Sequence, residues 1–458
     1  MKFIEATNNL ETGRLVIRHG GKENTLTPVS DMFTVVNSNQ DADSVTAPAV
    51  FVGYGVQAPE LGHDDYAGVD LRGKIAVVLL GAPKQFPATQ RAHYANSDNK
   101  RSLLARLGAV GVITIIPPWD EARYPWAFFA GQARFPAMRL LDGSGRMVNV
   151  SPQLKVLGTA NSAAATRLFA PAGRTAEGVF ATAERGEPQS FALNAEITLA
   201  ADCTRRTVES ANVLGWLPGS DPALADQPVV VTGHLDHLGI GAPVNGDTIY
   251  NGAVDNALGV AMILAAAEEI AAGPRPDRPI LFAALAGEEK GLLGAYHLAR
   301  NPPARVRHFA ANVNVDMSLF PVPVRSLIAW GAEHTTLGAL TEAAAARTGF
   351  TVTPDPMPEE TIFVRSDQYP FVQTGVPAIY LSSGMKPVDP AVDLPGMWNA
   401  HLKDRYHKPS DDLDQPVDWP STAAFTDLMV EVIRDAANSR PAPAWLPGDF
   451  FGELFGRR

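Results

Sequence analysis

Seven side chains able to bind a metal or move a proton stand just beyond apolar runs or in glycine- and proline-marked loops in the second half of this 458-residue chain. His234 and Asp236 follow VVVTG, Glu288 and Glu289 follow LFAALAG, and Asp316 follows NVNV. Asp255 sits in a glycine-bracketed loop, NGAVDNALG, that opens a helix, and His407 lies in the late loop RYHKPSDD. Five of them, His234, Asp255, Glu289, Asp316 and His407, form a mixed nitrogen and oxygen donor set suited to zinc, with manganese or cobalt less favoured. Two imidazoles and three carboxylates, one of them bridging, can hold two ions roughly 3.5 to 4 Å apart and leave positions for water and a substrate carbonyl.

The adjacent acids Glu288 and Glu289 point in different directions at a strand end, so one can bind metal while the other faces water. A carboxylate that takes a proton from a metal-bridging water and passes it to a leaving amine completes a metallohydrolase. Asp236, two residues after His234, is spaced to receive the imidazole's other N–H. With that place filled, His237 reads as a bystander more often than as a ligand. His63, His93, His308 and His334 read as structural. Taken singly, an acidic pair opening a helix serves the helix dipole; recurrence at successive strand ends is what points to a site.

Those strand ends need a sheet to bring them together. After position 206 buried-strand runs (PVVVTGHLDHLG, PILFAALAGEE, ANVNVDMSL, VPAIYLSSG) alternate with helical stretches at 259–272, near 292–299 and at 336–348. Continuous apolar strands separated by helices predict a mostly parallel sheet covered on both faces, with ligands at the strands' carboxyl ends. Ahead of it, residues 1–40 read as short strands, and 47–141 as a compact β-rich module.

Composition bounds the rest. With 46% hydrophobic and 19% charged residues the chain is globular and long enough for about two to four domains. Cys203 is the only cysteine, so no intrachain disulfide forms. A net charge of -11 argues against nucleic acid or anionic lipid as a partner. The longest apolar run, 258–267, ends at Glu268-Glu269, well short of the roughly 18 residues of a membrane span. The opening residues, MKFIEATNNLETGRL, lack a signal peptide's apolar region. Oligomeric state leaves no trace in the sequence.

In order along the chain, GHLDHLG, NGAVDNALG, AGEEKGLLGA, NVNVDM, RSDQYPF and YHKPSDDLD resemble the zinc-dependent exopeptidases of family M28 over about 206–434. The resemblance implies an α/β fold, a mostly parallel mixed sheet flanked by helices. It implies two zinc ions, His234 and Asp316 on one, Glu289 and His407 on the other, and Asp255 bridging, with a cis bond between Asp255 and Asn256. Glu288 is then the general base, Asp236 orients His234, and Tyr406 hydrogen-bonds the tetrahedral oxyanion. The stretch FVGYGVQAPELGHDDYAGVDLRGKIAVVLLG resembles a protease-associated (PA) domain that would cover the cleft. The expected organisation is 1–40 as strands joining the peptidase domain, 41–185 as the PA domain, 186–440 as the peptidase domain, and 441–458 as a Pro-rich tail. Gln368 stands where many relatives carry His.

Exopeptidase action on peptides with a free N-terminus is the expected function. The acidic balance agrees with a site for an α-ammonium group. A carboxypeptidase would need cations near the metals, for which Arg365 and Lys386 are the candidates. Glutaminyl cyclisation with one zinc and an inactive, receptor-like binding module are the other readings of this scaffold. Most relatives are exported, so the resemblance implies a secreted or periplasmic protein despite the opening residues.

Overall fold

The computed structural model describes residues 1–148 and 150–456. The chain divides into two compact units, Met1–Glu209 and Ser210–Arg458.

The first unit is built on a ten-stranded mixed sheet. Its spine is the long strand Ser190–Glu209, which pairs antiparallel with Ala42–Val52, with Arg14–His19 and with Lys2–Asn8. Beyond Ala42–Val52 the sheet continues in parallel through Ile75–Leu79, Gly111–Ile115 and Val156–Ala160. This pairing corrects two expected boundaries. The strands of residues 1–40 join this first sheet and not the sheet of the second unit, and the segment from 186 to 209 belongs with them. The reason is register: Lys2–Asn8 meets Thr204–Glu209 and Cys203 residue for residue, a pairing of distant segments that periodicity cannot reveal.

The second unit carries a seven-stranded sheet, in spatial order Val213–Leu217, Ile280–Leu285, Val229–His234, Ala311–Val315, Ala378–Ser383, Ser326–Trp330 and Thr351–Thr353. The four strands Ile280–Leu285, Val229–His234, Ala311–Val315 and Ala378–Ser383 are mutually parallel, as the apolar runs predict. Both faces are buried. Val229 and Val231 point into one core with the helices Leu258–Ala272 and Trp419–Asn438, while Val230 points into the other with Ala295, Leu298 and Phe371. That alternation explains why the strands are buried on both faces, with Thr232, Asn312 and Asn314 paired to one another by hydrogen bonds inside the sheet.

The long helix Trp419–Asn438 is fixed at its start by Asp418, whose side chain accepts the N–H of Ser421, and by Pro420 in its first turn. The expected tail is not loose. Thr335 bridges Trp445, and the helix Phe450–Phe455 buries Phe451 against His334, Phe363 and Tyr369. Asp449 pairs with buried His334 at 2.6 Å. No helix among the described residues is long and apolar enough to cross a membrane.

Candidate metal centre

Parallel neighbours end on the same side of the sheet, and this puts the candidate residues together. His234 ends its strand, Asp316 follows Ala311–Val315, and Glu288 and Glu289 follow Ile280–Leu285 by a short turn. His234 Nε2 lies 3.1 Å from Asp316 Oδ1 and 3.2 Å from Asp255 Oδ1. His407 Nε2 lies 3.2 Å from Glu289 Oε2 and 3.5 Å from Asp255 Oδ2. Asp255 therefore presents one oxygen to each histidine. All five expected ligands converge on one buried spot.

Local geometry holds these side chains in place. Asp255 lies in the turn Ala253–Ala257 ahead of the helix Leu258–Ala272, and its bond to Asn256 is cis, as the resemblance implies. Asn256 Nδ2 donates to the Val315 carbonyl at 3.0 Å, linking this turn to the strand before Asp316. Gly252 enters the turn at φ +70°, and a Cβ there would meet the Asp255 carbonyl oxygen at 2.5 Å and His237 Cγ at 2.6 Å, so only glycine fits. Ser366 donates to Asp316 Oδ2 at 2.6 Å, and Asn314 donates to both Ser366 and Gln368. Gln368 is fully buried and also donates to the Phe363 carbonyl at 2.7 Å. The position where relatives carry His thus serves here as a packing link beneath Asp316.

Two expectations change. The His234 Nδ1 partner is the backbone carbonyl of Asp236 at 3.0 Å, while the Asp236 carboxylate stands 4.0 Å away. That carboxylate instead accepts the Glu288 N–H at 3.1 Å. The chain turns after His234, so the carbonyl reaches the ring first and the side chain is carried toward the neighbouring strand's end. The second change concerns His237, whose Nδ1 lies 2.8 Å from Glu289 Oε1. His237, Asp255 and Glu289 offer atoms all within 4.8 Å of one another, as do His234, Asp255 and Asp316. The doublet HLDH is the signal in the sequence that places a second imidazole near the first.

Tyr406 stacks on His407, ring centroids 3.8 Å apart at 23°. Arg365, one of the cations a carboxypeptidase would use, pairs with Glu360 at 2.9 Å, and Lys386 is exposed.

Charge explains the protonation tendencies. Burial lowers the affinity of His407 for a proton, but Asp255 and Glu289 outweigh it and push its pKa up to about 9. Glu289 is held at about 2, burial being overcome by His237 and His407. Glu288 is raised well above the carboxylate range, first by burial, then by the negative charge of Glu289 and Asp316 against the pull of His234. Burial likewise raises the Tyr406 hydroxyl.

The donor set fits zinc. His237 Nε2 and His407 Nδ1 are buried without a hydrogen-bond partner, and three carboxylates crowd the imidazoles of His234 and His407. Divalent cations satisfy such a cluster.

Comparison with known proteins agrees. Residues 212–433 match the sequence model of Peptidase family M28. Two curated proteins called probable zinc metalloprotease, from Pyrenophora teres f. teres and Pyrenophora tritici-repentis, are 38% and 37% identical over 110 residues, 24% of this chain. Those residues make up 23% and 24% of their lengths, so the chain spans about a quarter of the curated relatives it matches. The aminopeptidase from Aneurinibacillus sp. strain AM-1 superposes with a TM-score of 0.50 at 18% identity, over 96% of this chain and 84% of that one, a likeness of fold. The family match covers just under half of the chain, spans every strand of the second sheet and takes in His234, Asp255, Glu289, Asp316 and His407, so the second unit is similar in sequence to peptidase family M28.

Proposed function

We propose that the protein is a zinc-dependent metallopeptidase with two metal positions, acting as an exopeptidase on peptides with a free N-terminus. The observation that carries this is the Asp255 carboxylate, with Oδ1 toward His234 and Oδ2 toward His407 at 3.2 and 3.5 Å. A bridging carboxylate between two half-sites is what a paired-ion centre requires. His234 and Asp316 would hold one ion and Glu289 and His407 the other, with His237 supporting Glu289.

Zinc, when bound, supplies Lewis acidity and lowers the pKa of water. The chain's own residues do the rest. Glu288 takes the proton from the attacking water and delivers it to the leaving amine. Asp236 holds the Glu288 N–H and so fixes where that carboxylate stands. Tyr406, stacked on His407, offers its hydroxyl to the oxyanion of the tetrahedral intermediate.

N-terminal action is favoured over C-terminal action because the Arg365 charge is already engaged by Glu360 and the molecule carries a net charge of -11. The retained five-residue donor set favours a peptidase over a one-zinc cyclase or a metal-free binding module. The test uses paired peptides, one with a free and one with an acetylated N-terminus, incubated with zinc-loaded protein with and without chelator. Stepwise loss of residues from the free N-terminus only, stopped by the chelator, is expected. Shortening of the acetylated peptide from its C-terminus would make it a carboxypeptidase, and no cleavage of either would remove the peptidase reading.

A further inference from the structure

Resting on this two-metal reading, we propose that Asp411 is a positioning residue that ties the loop carrying His407 to the turn carrying Asp255, and thereby sets the second metal position. Asp411 is fully buried. Its Oδ1 accepts the N–H of Val254 at 3.0 Å and Gln415 Nε2 at 2.6 Å, and its Oδ2 accepts the N–H of Asp255 at 3.1 Å. Its backbone carbonyl accepts the Ala253 N–H at 3.0 Å, and nearby the Asn251 side chain donates to the Pro409 carbonyl at 2.9 Å. Four hydrogen bonds thus run from residues 251–255 to residues 409–411.

The geometry matters because neither Asp255 nor His407 has a regular helical or strand backbone. His407 has a left-handed backbone, φ +56°, outside any helix or strand, and Asp255 lies in an irregular turn whose φ and ψ are not helical. His407 Nε2 faces Asp255 Oδ2 across this seam at 3.5 Å. Four residues along the chain, Asp411 grips the backbone of Asp255 itself. Three N–H donors converge on its two oxygens, so an amide cannot replace the carboxylate. Whichever way a substituted asparagine turned, its NH2 group would face at least one donor and leave it unpaired in a buried place. Asp411 touches neither metal position directly and acts through Asp255 and His407.

Hydrogen–deuterium exchange of the metal-free protein, paired with zinc titration, tests this with Asp411→Asn and the milder Gln415→Leu, which removes a single donor. Faster exchange is expected in 251–258 and 405–412 for both variants, greater for Asp411→Asn. Zinc should bind roughly 10 to 100-fold more weakly at the position served by His407, and be weakened less at the other, which shares Asp255 but not the His407 loop. Unchanged exchange in both loops overturns the proposal, as does equal weakening of both ions. Should Asp411→Asn fail to fold, Gln415→Leu carries the same comparison. If the unaltered protein binds fewer than two zinc ions the two-metal reading falls, and loop exchange still decides whether Asp411 holds the seam.

Discussion

At the scale of single residues, Asp236 and Glu288 act as a pair: the Asp236 carboxylate accepts the Glu288 N–H at 3.1 Å and stands 4.0 Å from His234. Removing it should disturb the base more than the metal. Asp236→Ala is expected to lower kcat roughly 10 to 100-fold with a zinc titration close to that of the parent. On the proposed mechanism Glu288→Gln removes the proton acceptor and none of the proposed ligands, so kcat should fall by about 10² to 10⁴ while zinc binding is kept. Steady-state kinetics and zinc titration on the same preparations separate the two. Loss of zinc in Asp236→Ala would return that residue to His234, and near-normal turnover in Glu288→Gln would remove it from the mechanism.

At the scale of elements, two packing features carry measurable consequences. Phe451, fully buried, fills a pocket formed by His334, Phe363 and Tyr369, and Phe363 in turn receives the Gln368 side chain beneath Asp316. Phe451→Ala should cost the second unit about 3 to 5 kcal/mol, read as a lowered denaturation midpoint. An unchanged midpoint would mean that the C-terminal helix contributes nothing. In the first unit Lys100 is buried, its ammonium group bonded to the carbonyls of Leu79 and Gly81 and 5.9 Å from the Tyr54 ring centroid. Burial lowers its pKa to about 7 from 10.5. The folded state then binds fewer protons than the unfolded chain between these values, so this group's penalty is full below about pH 7 and disappears as pH rises toward 10.5. Relative to Lys100→Met, the parent should gain stability between about pH 6.5 and 9.5, seen in paired urea denaturations at the two pH values. A constant difference would show that Lys100 does not titrate in that window.

At the scale of the whole molecule, every candidate ligand lies between 210 and 458, so metal should stabilise the two units unequally. Zinc at 100 times its dissociation constant adds about 2.7 kcal/mol per site. Calorimetry with and without chelator should therefore shift the transition of the second unit and leave that of the first in place. A shift in the first unit's transition alone would place the metal elsewhere.

The residue types and the order of strands and helices were enough to determine the second sheet, its buried strands and the five converging side chains. Such strands are predominantly apolar when both faces are covered, and a parallel sheet delivers their ends to one side. The helices at 258–272 and 337–348 were legible from the same periodicity. Long-range contact decided the remainder. That Lys2–Asn8 and Arg14–His19 pair with Ser190–Glu209, that Trp445 and Phe451 dock near His334, and that His237 meets Glu289 depend on segments far apart in the chain. The switch of the Asp236 carboxylate from His234 to the Glu288 N–H depends on how one strand end faces its neighbour. Spacing along the sequence shows which groups can reach a partner, and only packing in three dimensions decides which partner arrives first.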